Sequence, residues 1–168
     1  MRKFGADILL SAIREAVWAE RAGTLVSLGL KVVDEGAFDV PAPEQLASHM
    51  NQVVVQYGQL LEGRRDKARR TYHGRHEFEL YFVRQLGDTE RPETAVRQGG
   101  ELLAEVFLQG DFKIPGFGRS AGVEVEECYP TGLVVQEGFP LGEDVHAEVC
   151  MVRLFVAAMC YDPAALLT

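Results

Sequence analysis

Residues 72–83 read YHGRHEFELYFV. From His76 onward the run alternates, with Phe78, Leu80 and Phe82 on one side and Glu77, Glu79 and Tyr81 on the other. A period of two is that of a strand with one wet and one buried face. Upstream, NQVVVQYGQLL (51–61) holds a second β-branched run in Val53, Val54 and Val55. EGRRDKARR (62–70) breaks the pattern between them. The two runs predict a β-hairpin. Its projecting tip is the basic segment around 62–75, and His73 and His76 lie at its solvated base.

Toward the N-terminus, Ala6, Ile8, Leu9, Leu10, Ala12, Ile13, Ala16 and Val17 share one broad face at helical spacing. A helix over 6–22 follows, and Gly23 is placed to end it. Acidic and basic residues interrupt the apolar stretch, so MRKFGADILLSAIREAV reads as an amphipathic helix, not a signal peptide. Trp18, the single tryptophan, falls among the polar residues of this helix, which marks it as a contact residue. GLKVVDEG (29–36) predicts a short strand before a proline-bearing loop. A second helix runs through ETAVRQGGELLAEVF (93–107), capped by Asp88 or Thr89, with Pro92 in its first turn and Gly110 as its stop. Gly99 and Gly100 sit on its apolar side. Each costs about 1 kcal/mol against alanine in a helix, so their placement predicts close approach to a sheet. GVEVEECYPTGLVVQEG (122–138) predicts a hairpin turning at Pro130–Gly132, and DVHAEVCMVRLFVAA (144–158) a last strand apolar enough to be central. A C-terminal extension, 159–168, follows.

These patterns give mixed α and β structure in one domain over 1–168, without repeat or linker. At 168 residues and 47% hydrophobic, the chain is large enough for its own core. No apolar run reaches the ~18–20 residues of a membrane helix. Cys128, Cys150 and Cys160 are an odd set with no Cys-x-x-Cys pair, which points to free thiols in a reducing compartment.

The net charge of −8 is unevenly spread. Arg64, Arg65, Lys67, Arg69, Arg70 and Arg75 share twelve positions with one acid, Asp66, so this segment is net +5 and the remainder −13. An acidic body excludes a general nucleic-acid binder. Joined to one basic projection it suits head-to-tail self-association or an acidic partner. The plain alternative is a solvated loop tip.

Three motifs invite chemistry. His73 and His76, three apart in an extended segment, point to opposite faces, and a metal needs three or four converging ligands. His49 and His146 lie elsewhere in the chain. Gly118-Arg119-Ser120-Ala121-Gly122 is a formal G-x-S-x-G, and Asp144 and His146 follow in the order of a serine hydrolase. Its setting fails, because the motif leads into the strand-like VEVEE and not a helix. The glycine pair Gly116 and Gly118 lacks the strand–loop–helix context of a dinucleotide site. Glu124, Glu126 and Glu127 read as the outer face of a strand. No catalytic residue, cofactor or metal is assigned.

The order of elements is the remaining clue. An amphipathic helix leads to GLKVVDEG, a proline loop and NQVVVQYGQ. A charged hairpin enters HEFELYFVR, the helix ETAVRQGGELLAEVF follows, and HAEVCMVRLFV closes the chain. From Ile8 to Val156 this resembles the tail terminator, or tail-completion, proteins of long-tailed bacteriophages and related minor tail proteins. It departs at 116–144, where the hairpin is longer. The resemblance implies an α+β fold: a mixed, mostly antiparallel sheet with two helices on one face. It implies a structural virion protein, assembled in the host cytoplasm into a ring, typically a hexamer. Such a ring caps the tail tube, joins it to the head connector and lets DNA pass without specific binding. Trp18, Arg64, Arg65, Lys67, Arg69, Arg70 and Arg75 are then interface candidates. The alternatives are a small serine hydrolase using Ser120, or a small-ligand-binding α+β domain.

Overall fold

The structure, a computed structural model, describes residues 5–28, 52–84, 92–108, 123–140 and 146–160. In chain order these form α1 (Ala6–Ala19), short 3-10 turns at Glu20–Ala22 and Val26–Leu28, β1 (Gln52–Asp66), β2 (Thr71–Arg84), α2 (Pro92–Val106), β3 (Val123–Pro140) and β4 (His146–Cys160). The four strands make one sheet in the order β1-β2-β4-β3. Every described pairing is antiparallel. The fold is α+β, as the patterns predict, and β4 is central. Strand 29–36, the caps at Asp88 and Thr89, the stop at Gly110 and residues 161–168 lie outside the described residues.

Alternation decides which sheet face is buried. Phe78, Leu80 and Phe82 of β2 pair across to Leu154, Val152 and Cys150 of β4, and on the other side to Tyr57, Val55 and Val53 of β1. These side chains form one core with Leu9, Ile13, Ala16 and Val17 of α1 and Val96 and Leu103 of α2. Both helices therefore cover the same face. Each fully buried Phe or Leu contributes about 1.5–3 kcal/mol of transfer free energy. The helix glycines act as expected: a Cβ on Gly99 would run into the Phe82 ring, and one on Gly100 into Cys150 Sγ. Backbone proximity there outweighs the propensity cost of glycine.

Three boundaries differ from expectation. The basic segment does not break β1, which continues through Glu62, Arg64 and Arg65 to Asp66, so only Lys67–Arg70 turn. Bulges between Tyr57 and Gln59 and between Leu60 and Glu62 shift the alternation and hide the strand from a period-two reading. There is no turn at Pro130–Gly132. β3 runs unbroken, and Thr131 is the extra residue of a bulge between Pro130 and Gly132. Proline is tolerated because β3 is an edge strand. The extension expected from 159 begins later, since Met159 and Cys160 belong to β4 and Cys160 is buried.

Candidate functional site

The second sheet face is built from the alternate partners of the same ladder, and one end of it is buried, with Val54, Val83 and Val149 at 6%, 4% and 2% exposure. Its rows, read across β1, β2, β4 and β3, are Val54–Tyr81–Met151–Val134, Gln56–Glu79–Arg153–Gly132, Gln59–Glu77–Phe155–Tyr129 and Glu62–Arg75–Ala157–Glu127. Val134 is 43% exposed and Tyr129 44%. Tyr129 stacks obliquely on Phe155 with ring centroids 5.0 Å apart. On β3 and β4 the face thus carries two apolar pairs, Val134–Met151 and Tyr129–Phe155, separated by the exposed Arg153. Toward β1 it becomes polar. Gln56 Nε2 donates to Glu79 Oε2 at 2.7 Å, and Tyr81 Oη donates to the same carboxylate. Burial and that hydrogen bond push the Tyr81 phenol up to about 12.

At the end of this face near the β1–β2 turn lies an open cleft of about 490 Å³, lined by Glu62, Arg64, Asp66, His73, Gly74, Arg75, Glu126, Glu127 and Ala157. Arg75 Nη1 donates to Glu62 Oε2 at 3.3 Å. His73 Nδ1 lies 3.5 Å from Glu126 Oε1. Its lining mixes both signs of charge along two strand edges. That arrangement suits charge pairing with another chain, and among the described residues it offers no nucleophile beside a base.

The two histidines do fall on opposite faces, but they share no solvated base. His76 is 1% exposed and packs in the core. Its Nδ1 is hydrogen-bonded to Tyr57 Oη at 3.2 Å, and burial lowers its pKa to about 4. A second signal accompanies it: a Cβ on Gly74 would come within 2.5 Å of His76 Nε2, so glycine leaves space for the ring. Sequence reasoning missed this residue because its charged neighbours suggested water.

The basic tip is a closed turn. Asp66 Oδ1 accepts from the backbone N–H of Ala68 at 3.0 Å and of Arg69 at 3.1 Å. Those backbone bonds, first that from Arg69, hold the Asp66 carboxyl below its ordinary range, with the Arg69 and Arg64 charges adding to the effect. Arg70 takes φ 52°, a left-handed conformation, where the chain re-enters β2. Arg64, Arg65 and Arg75 belong to paired strands, so the projecting part is shorter than 62–75.

Trp18 is half-buried and packs against the core, so it is not a bare ring on a polar face. The Arg21 guanidinium lies 3.9 Å from its ring centroid, and Arg21 Nη1 donates to Trp18 O at 2.7 Å. The sequence could signal this through the i, i+3 spacing of an arginine and a tryptophan on one helix turn.

Among the described residues no group of three His, Cys, Asp or Glu side chains is placed to hold a metal. The three cysteines are free thiols, and burial raises Cys128 to about 12 and Cys150 and Cys160 to about 11. Ser120 and Asp144 lie outside the described residues, as does the side chain of His146. β3 opens at Val123, directly after the G-x-S-x-G segment, so a strand stands where a nucleophile elbow requires a helix. No described helix is long and apolar enough to cross a membrane. No known family model matches the chain, and no curated protein is significantly similar to it.

Proposed function

We propose that this chain is a structural subunit that self-associates into a ring, in the manner of a phage tail terminator. In that role it caps a tail tube and meets a head connector. The observation that carries the reading is the exposed apolar part of the second sheet face along β3. Two helices cover one face, and on the other Val54, Val83 and Val149 are buried while Tyr129 and Val134 of β3 are exposed and Phe155 and Met151 of β4 partly so. Exposed apolar and aromatic side chains beside charged ones suit contact with other protein chains. The resemblance in element order supplies the kind of assembly. The acidic balance fits a ring through which DNA passes without being held.

Mass measurement of the full chain over a range of concentrations, alone and with tail tubes, tests the reading. The expected result is a discrete ring, a hexamer on the resemblance, that stops tube growth. A chain that stays monomeric under all these conditions and leaves tube length unchanged overturns it. Val134→Glu with Tyr129→Glu should disrupt contacts of the exposed part of that face while leaving the helix-side core intact.

A further inference from the structure

Among the described residues, the two edge strands of the sheet carry opposite charge at the same level. β1 forms one edge and ends in Arg64 and Arg65 before Lys67 and Arg70 of the turn. β3 forms the other and begins with Glu124, Glu126 and Glu127 within its first five residues. Register ties the two ends together: Arg64, His73, Met159 and Glu124 form one row, and Glu62, Arg75, Ala157 and Glu127 the next on that face. The acids beside the basic edge are already engaged, Glu62 with Arg75 and Asp66 with Arg69 and the turn amides. Arg64, Arg65, Lys67 and Arg70 are exposed and make no ion pair among the described residues. Across the sheet Glu127 is exposed, and Glu126 faces His73.

Strand direction adds an independent condition. With four strands, all antiparallel, β1 and β3 run in opposite directions. A second copy in the same orientation therefore brings its β1 edge antiparallel to the first copy's β3 edge and continues the alternation. This is a heterologous, head-to-tail contact that repeats from copy to copy. A two-fold pair would instead set β1 against β1 and forfeit the charge match. Bulges interrupt both edges, so regular backbone pairing spans few residues and the charges must set the register.

We propose that Arg64, Arg65 and Lys67 of one copy dock on Glu124, Glu126 and Glu127 of the next copy of this chain, edge to edge and head to tail. The inference rests on the ring reading and names its subunit contact. Opposite charges across such a contact contribute orientation and exclusion of wrong partners, and their effect falls with salt.

Charge exchange tests it. In the full chain, Arg64→Glu with Arg65→Glu makes both edges acidic, and Glu124→Arg with Glu127→Arg makes both basic. Each variant alone should stay monomeric with an unchanged circular dichroism spectrum. Their equimolar mixture should recover the assembled mass, because each intact or reversed edge then finds its opposite. Assembly of the natural chain should weaken about tenfold or more from low to high salt, the direction screening dictates. If either variant alone assembles like the natural chain, the edge contact is wrong while the ring reading stands. If folded variants stay monomeric and the mixture does not recover, these two edges are not partners. If the natural chain never assembles, both readings fall. If the arginine variant loses tight duplex-DNA binding and keeps natural assembly, the basic edge serves phosphates instead. Should a reversal unfold the chain, Arg64→Ser with Arg65→Ser replaces it. That variant must then assemble more weakly and with less salt dependence, and equal assembly overturns the proposal.

Discussion

His76 Nδ1 and Tyr57 Oη lie 3.2 Å apart on the buried face of the β1–β2 hairpin, with ring centroids 5.8 Å apart. Phe78 completes the cluster, edge-on to Tyr57 at 5.3 Å. A neutral imidazole fits this setting and a charged one does not. Burial lowers the His76 pKa to about 4, while in the unfolded chain it returns to the ordinary 6.5.

The pH dependence follows from that difference. Below the unfolded value the unfolded chain takes up a proton that the folded chain refuses. The contribution of neutral His76 is therefore full above about pH 6.5 and is lost as pH falls toward about 4. The whole window corresponds to roughly 3 kcal/mol. Denaturant unfolding at several pH values should show stability falling across it. His76→Phe should remove that slope, and an unchanged slope would place the acid sensitivity elsewhere.

Gly99→Ala should destabilise by about 1–3 kcal/mol, as overpacking does, although alanine is the better helix former by about 1 kcal/mol. The reason is the Phe82 ring, which occupies the space a Cβ would need. Thermal unfolding of Gly99→Ala, Phe82→Leu and the double variant reads the contact directly. The smaller Phe82→Leu side chain should recover part of the loss, giving a coupling of about 0.5–3 kcal/mol. Additive effects would show that the helix and sheet are not in contact there.

Cys150 and Cys160 should resist thiol reagents in the folded chain at mildly alkaline pH, because burial raises both thiols to about 11 and keeps the thiolate fraction small. Cys128, pushed up to about 12, should behave likewise. Mass spectrometry after brief alkylation checks this: little label on the native chain and three labels once it is denatured. Rapid native labelling at Cys150 would show that α2 opens away from β4.

The sequence made some of this legible and concealed the rest for physical reasons. β2 reads cleanly because no bulge interrupts Phe78, Leu80 and Phe82. Gly99 and Gly100 announce a close helix–sheet approach because an unforced helix would not carry them on its apolar side. β1 is concealed past Leu60, where an inserted Leu61 moves the charged residues out of phase. Pro130-Thr131-Gly132 has turn composition, and its place in an edge strand emerges only once Leu154 and Arg153 of β4 are seen opposite it. His76 is the same kind of case, since its environment comes from Tyr57 and Val156 on neighbouring strands. Charge complementarity of the two sheet edges depends on strand order, which local pattern does not encode.

Two features hold the turn at Lys67–Arg70. Asp66 closes it by accepting the amides of Ala68 and Arg69, and Arg70 completes it in the left-handed region at φ 52°. A non-glycine residue there is held against a cost of about 1–2 kcal/mol. Arg70→Gly should relieve that strain, and the greater freedom of glycine in the unfolded chain offsets part of the gain. A net rise of up to about 1 kcal/mol in unfolding free energy is expected. Asp66→Ala should act the other way, lowering the melting temperature and speeding amide exchange at Ala68 and Arg69, because nothing replaces the carboxylate acceptor. The two changes meet in the same turn, so the stabilisation from Arg70→Gly should shrink when Asp66→Ala is present. An Arg70→Gly variant that loses stability would show that the arginine side chain, not the backbone, sets the conformation of the turn.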